Sequence, residues 1–350
     1  MKKLAIASIC LLLMLAFAAC GGTSTPSGGT STPDNPASAQ LSKAEWVAYT
    51  TFPDSNFSAI ALVKFADKVR AATDGRINMT IHTGAALGYT GGELLSVTRD
   101  NLVQVTEMST GHVMGEEPFF EITTQPFMQK DIADGRILDE LARDAYDKIL
   151  ADKWNMKLLY TLPWPMAGFW TQKEITSMAD LKGIKMRTYD KNTALVVEAA
   201  GGTPYAMPFA DVYSALATGA INSVMTSTPT AVDGRFWEVV DYYSPTNVCM
   251  TLGIVAMNLT EFNKLDSETQ KIVMNIANEM SAEMWDVVGP ALHEEMRQIC
   301  FDNGIVETDV PQQLITDLYA ATQGIRDDWY ASATDEAKAI FDEYKKRVGL

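Results

Sequence analysis

From Trp46 onward the chain alternates strand-like and helix-like patterns, and that order constrains the fold more than any composition figure. Trp46 to Thr51 reads as a strand. Asn56 to Thr73 follows as an amphipathic helix, with Ile60, Val63, Phe65 and Val69 near helical spacing. Asp74-Gly75 stops that helix, and Ile77 to Thr83 alternates as a second strand. A Gly-rich turn (Gly84, Gly88, Gly91, Gly92) then leads into another helix near Glu93. Strands alternating with helices predict an α/β body.

A second block of the same kind begins near Trp164. Ile184, Met186 and Thr188 alternate with Lys185 and Arg187, giving a short strand whose charges share one side. Thr193 to Ala200 reads as a helix closed by Gly201-Gly202. Phe209, Val212, Tyr213 and Leu216 repeat at helical spacing up to Gly219, and Ile221 to Met225 is a third short strand. Ser267 to Cys300 is a long helical stretch interrupted by Gly289-Pro290. The proline removes a backbone donor there and predicts a kink. A helix of that length can pack on two domains.

The first residues carry an address. Lys2 and Lys3 precede an apolar run from Leu4 to Ala16 that is short for a membrane span and ends Phe17-Ala18-Ala19-Cys20. This resembles a bacterial lipoprotein signal, with Cys20 as the lipidated residue; a plain secretory signal is the alternative. Residues 21–40 are dominated by Gly, Ser, Thr and Pro and read as a tether. Export leaves Cys249 and Cys300, whose pairing the sequence leaves open.

The chemistry motifs are sparse. With 28 basic against 44 acidic residues, the net charge is −16, which argues against a nucleic-acid partner. The Gly-rich turn lacks the spacing of a phosphate-binding loop. His82, His112 and His293 have no paired metal-ligand spacing, and no Gly-x-Ser-x-Gly elbow is present. The sequence signals neither catalysis nor a cofactor.

Three motifs in order carry a resemblance: Asp180-Leu-Lys-Gly-Ile-Lys-Met-Arg187, Gly201-Gly-Thr-Pro204, and Met207-Pro-Phe-Ala-Asp-Val-Tyr213 continuing to Gly219. From about Trp46 to about Tyr344 the chain resembles the extracytoplasmic solute-binding proteins of tripartite ATP-independent periplasmic (TRAP) transporters. The resemblance implies a two-domain, periplasmic-binding-protein-like α/β fold with crossing strands and a long domain-spanning helix. It also implies a receptor, not an enzyme, that closes on an organic acid and delivers it to membrane permease subunits. The expected organisation is a signal peptide at 1–19, lipidated Cys20 and tether at 20–40, domain I at 41–163 plus 250–285, and domain II at 164–249 plus 286–350. The expected place is the outer side of the bacterial cytoplasmic envelope, held by lipid, with a monomer sufficient. A binding protein of an ATP-driven importer, an exported enzyme and a sensory receptor are the alternatives.

Arg187 is the expected carboxylate ligand. It sits near the end of a short strand, where ligands of open α/β sheets gather, and its planar fork fits a carboxylate. The competing reading is a salt bridge to Asp190 or Asp180. Thr226 is expected to complete the anion site. Many relatives carry polar groups where this chain has Ala167-Gly168-Phe169-Trp170, Met225-Thr226-Ser227 and Met108, so the pocket is expected to be aromatic and thioether-rich. Its candidate walls are Phe52, Met108, Trp164, Trp170, Phe209, Tyr213 and Trp237, which point to a carboxylate with an aromatic or bulky apolar portion. Each has an ordinary core alternative, Trp164 as hinge packing and Trp237 as helix–sheet filler.

Overall fold

The computed structural model describes residues 42–350, so the signal segment, Cys20 and the tether lie outside the described residues. The strands, in chain order, are β1 (Ala44–Tyr49), β2 (Ile77–His82), β3 (Val105–Ser109), β4 (Met156–Pro163), β5 (Gly168–Thr171), β6 (Lys185–Thr188), β7 (Thr203–Ala206), β8 (Ser223–Thr226), β9 (Tyr242–Ser244), β10 (Leu252–Asn258) and β11 (Val306–Glu307). They form a five-stranded sheet in the order β2-β1-β3-β10-β4 and a six-stranded sheet in the order β11-β9-β5-β8-β6-β7. In the first sheet β1 runs parallel to β2 and β3, whereas β10 is antiparallel to both β3 and β4. Each sheet is the centre of one lobe of the expected α/β fold.

Strands β4 and β10 of the first sheet are covered on both faces, which is why they read as nearly continuous apolar runs. Along β10, Leu252, Ile254 and Ala256 enter one core while Val255 and Met257 enter the other. Along β5, Phe169 and Trp170 divide in the same way between the two cores of the second lobe. The Phe57–Ala72 helix is capped by the Asn56 side chain, which accepts from the Ser58 amide at 2.9 Å. Its buried stripe is Phe57, Ala61, Leu62, Phe65 and Val69; Ile60 and Val63 lie outside it, half exposed. The expected helix is present, but its apolar face is rotated from the one expected.

Four chain segments join the lobes, the last being the Gln323–Ser332 helix, which runs from Ile325 on the second lobe's core to Trp329 in the first lobe's core. Residues 164–167 carry the chain from β4 to β5, and residues 245–251 return it from β9 to β10. The third is the long helix: Ser267–Glu283, a π turn at Met284–Val288, and Gly289–Asp302. The π turn immediately precedes Pro290 and takes up the missing hydrogen bond, so the helix is re-aimed rather than broken. A Cβ at Gly289 would come within 2.5 Å of the Pro163 ring, so only glycine lets the helix lie this close to the end of β4. The first half packs on the Phe57–Ala72 helix and β4, the second on the Thr228–Asp233 helix of the other lobe.

The chain's end departs from the expected assignment of 286–350 to domain II. Trp329, Ala337, Phe341 and Tyr344 join the first lobe's core, the Asp335–Val348 helix packs on Ile132–Trp154, and the Tyr344 hydroxyl donates to the Met128 carbonyl at 2.7 Å. A tyrosine-and-phenylalanine stripe finds its partner surface there, not in the second lobe. Cys249 and Cys300 are free thiols buried in separate cores of the second lobe and do not pair. Among the described residues no helix is long and apolar enough to cross a membrane, and no cluster of His, Cys, Asp or Glu is placed to hold a metal ion.

Candidate functional site

The carboxyl ends of β1, β3, β6 and β8 converge where the lobes face each other. Between them lies a small chamber of about 50 Å³ lined by Phe52, Ser109, His112 and Trp164 from the first lobe and its hinge edge, and by Arg187, Tyr189, Phe209, Ser227 and Thr230 from the second. It opens into a wider mouth between the Gly84–Gly92 turn and residues 206–210, with Phe52, His112, Arg187, Tyr189 and Phe209 common to both spaces.

Arg187 occupies the penultimate position of β6 and is 3% exposed. Its Nε donates to the Met207 carbonyl at 3.2 Å, and its guanidinium carbon lies 5.6 Å from the centre of the Tyr189 ring. Among the described residues it makes no salt bridge. The two carboxylates that could have claimed it are engaged elsewhere. Asp180, the third residue of the Met178–Leu181 helix, completes its capping box, accepting from the amide and hydroxyl of the N-cap Ser177 at 2.9 and 2.8 Å. Asp190 caps the next, accepting from the Thr193 amide and hydroxyl, both at 2.7 Å. Burial lowers the Arg187 guanidinium to about 10, with Tyr189 and Asp190 opposing the shift, so it remains a cation at neutral pH with no carboxylate in ion-pair contact.

Four rings form an arch over the first-lobe side. Phe57 meets Trp164 edge-on at 4.7 Å, Trp164 meets Phe52 at 4.7 Å, and Phe52 stacks on His112 at 6.0 Å. His112 is held neutral: burial pushes its imidazole down to about 4, and the Arg187 charge adds to the effect. No Asp or Glu lines the chamber, while hydroxyls from Ser109, Ser227, Thr230 and Thr251 do. The arrangement can therefore take one anionic group, an apolar body, and one or more neutral hydrogen-bonding atoms.

Of the expected pocket residues, Phe52, Trp164 and Phe209 are brought together with Arg187. The others are not. Thr226 lies one residue short of the chamber, its carbonyl accepting from the Trp170 indole at 3.0 Å, and the hydroxyls that reach the space are Ser227 and Thr230. Trp170 faces away and stacks on Tyr243 at 4.3 Å, because alternation along β5 sends it into the second lobe's outer core. Met108 is fully buried in the first lobe's core. Tyr213 is half exposed, its hydroxyl donating to Glu238 at 2.7 Å, while Val212 and Leu216 form the buried face of that helix. Trp237 packs against the core near Phe236 and does not line the chamber. His112, Tyr189, Ser109 and Thr251 line it without having been expected there. The one-turn helix Thr110–Val113 that presents His112 is too short to leave a periodic signal.

The lobes touch across the mouth. Asp233 accepts from the Ser55 hydroxyl at 2.9 Å and from the Asn56 amide at 2.5 Å. Nearer the hinge, Lys191 pairs with Glu121 at 3.1 Å and the Asn192 amide donates to the Thr124 hydroxyl at 3.0 Å.

Comparison with known proteins places this architecture among relatives. Residues 48–333 match the bacterial extracellular solute-binding protein family 7. A Bordetella pertussis extracytoplasmic solute receptor that binds pyroglutamic acid is 27% identical; the match covers 86% of this chain and 99% of that one, with a TM-score of 0.83. A marine-metagenome TRAP solute-binding protein specific for pyroglutamate is 29% identical, over 87% of this chain and 99% of that one, with a TM-score of 0.81. The 2,3-diketo-L-gulonate-binding periplasmic protein of Escherichia coli K12 is 24% identical over 275 residues, 74% of this chain and 77% of that protein.

Proposed function

Because the chain belongs to bacterial extracellular solute-binding protein family 7, the receptors of TRAP transporters, we propose that it captures a compact monocarboxylate between its lobes and does no chemistry on it. The observation that carries this reading is a buried guanidinium with no protein carboxylate, in a chamber with no acidic wall. Arg187 takes the ligand's carboxylate as a charge-assisted fork, with the Ser227 and Thr230 hydroxyls beside it. Phe52, Trp164 and Phe209 cover the rest of the ligand and favour an apolar or ring-shaped body by area burial and stacking.

The wall chemistry also disfavours competitors. A second carboxylate would find no second cation, and the ammonium of a free amino acid would face Arg187 with no acidic partner. Closure is driven only by contacts that exist in the closed state, since equal affinity for open and closed forms shifts nothing. The loaded receptor then hands its ligand to the membrane permease subunits. Lipid on Cys20 and the tether at 20–40 would keep the body close to those subunits, and a monomer suffices for the cycle.

A thermal-shift screen tests the reading. The panel holds cyclic and aromatic monocarboxylates (pyroglutamate, benzoate, indole-3-acetate), dicarboxylates, uronic acids and free amino acids. Binding stabilises the folded state by mass action, about 2.7 kcal/mol at a hundredfold excess over Kd. Monocarboxylates without an ammonium group are expected to raise the Tm; a response confined to dicarboxylates or to amino acids would reject the proposed chemistry of the chamber.

A further inference from the structure

One polar group in the chamber has no partner in the protein and no place in the carboxylate site. His112 projects from the one-turn helix after β3, on the opposite lobe from Arg187. Its ring plane is fixed from two sides. Phe52 stacks on it with an interplanar angle of 22°, and the Gly91 backbone closes on its Nδ1 edge, where even a Cβ would approach to 2.5 Å. Among the described residues neither ring nitrogen makes a hydrogen bond. A part-buried imidazole held this firmly, with its free nitrogens open only to the chamber, is placed to bond a polar group that enters it.

Resting on the receptor reading above, we infer that His112 is the first-lobe anchor for the ligand, hydrogen-bonding an uncharged polar group that lies across the ligand from its carboxylate. The charges of the site limit what that group can be. The carboxylate belongs with Arg187 in the other lobe, and the same guanidinium repels any cationic group brought near His112. A neutral imidazole offers one N–H donor and one lone pair, which suits an amide, a lactam or a hydroxyl. It follows that a ligand carrying both groups is bonded to both lobes, but only when they are together. A carboxylate alone is held by one lobe and draws the other in less strongly. His112 thereby sets specificity and ties recognition to closure.

The test uses two ring acids of matched shape, L-pyroglutamate and cyclopentanecarboxylate, the second lacking the lactam. Calorimetric titration of the wild-type protein is expected to show pyroglutamate binding roughly tenfold to a hundredfold more tightly, the range for one buried hydrogen bond. His112→Phe should lose that margin on pyroglutamate and change little on cyclopentanecarboxylate. His112→Gln, which keeps a donor and an acceptor, should recover part of it, and thermal melts of both variants without ligand report their folding. Equal losses on both acids would make His112 a packing residue, and no loss on either would remove it from the site; both results overturn the inference while the receptor reading stands. If the wild-type protein bound neither acid, the monocarboxylate reading and this extension of it would fall together.

Discussion

Replacing Arg187 with methionine separates what the guanidinium does for binding from what it does to the free protein. Burial, only partly offset by Tyr189 and Asp190, lowers its pKa from 12.5 to about 10, so at neutral pH the charged form bears a net cost on the order of 3 kcal/mol in this closed arrangement. Its contacts with Met207 and Tyr189 lie within the second lobe and persist when the lobes part, so they cancel in the comparison of open with closed. What changes on closing is hydration, because Phe52, Ser109, His112 and Trp164 arrive from the other side. The part of that cost that comes from those walls is relieved when the charge is removed, so the closed-to-open ratio rises. The unliganded wild-type protein is therefore expected to favour the open form until a carboxylate neutralises the site, and Arg187→Met to shift toward the closed form without ligand. Small-angle scattering, or an energy-transfer pair placed across the lobes, reads this directly. The variant should be more compact than unliganded wild type before any acid is added, and respond less to it. A variant as open as wild type, or one that responds to pyroglutamate as fully as wild type, would refute the reasoning that the lone charge holds the lobes apart.

Three further outcomes are expected. Asp233→Ala removes the acceptor for Ser55 and Asn56 across the mouth, so ligand dissociation in stopped-flow should quicken about tenfold while the unliganded Tm hardly moves. Glu107 lies fully buried on β3, accepting from the Thr50 hydroxyl at 2.6 Å, and burial raises its carboxyl to about 7. Between about 4.5 and 7 the folded chain keeps a proton that the unfolded chain releases. Stability from this group is thus full at low pH and is lost as pH rises, by on the order of 3 kcal/mol. Glu107→Gln should match wild type in denaturant titrations near pH 4.5 and exceed it at pH 8; a constant difference across that range would contradict the assignment. Gly289→Ala forces a methyl to within 2.5 Å of Pro163 and should cost about 1–3 kcal/mol in the same titrations, with no effect expected if the helix slides freely along β4.

The sequence was most informative where periodicity and chemistry agreed. Arg187 was legible because alternation from Ile184 to Thr188 placed a charge at the end of a strand, and the two carboxylates near it turned out to be helix caps. Phe52, Trp164 and Phe209 were legible from their places beside strand ends and at a helix start. Trp170 and Met108 were not, because their strands are buried on both faces and alternation then cannot say which face meets the cleft. Tyr213 shared helical spacing with Val212 and Leu216, yet a stripe of that width has an edge, and Tyr213 lies outside it. Thr226 was one residue early: the strand ends there, and the turn that follows delivers Ser227. His112 was read only as a failed metal ligand, since nothing local to its one-turn helix reveals that a guanidinium from another lobe will face it. The C-terminal helix was misassigned for a related reason, because its partner surface lies about two hundred residues earlier in the chain.

The position of β10 has a consequence for how such a molecule comes into being. The strand that begins at Leu252 is inserted between β3 and β4, so the first lobe has a gap through its middle until more than two thirds of the polypeptide has been made. The closing helix at Asp335–Val348 seals the same lobe later still. The first lobe of a nascent polypeptide of this design therefore cannot close until β10 and the Asp335–Val348 helix have been made.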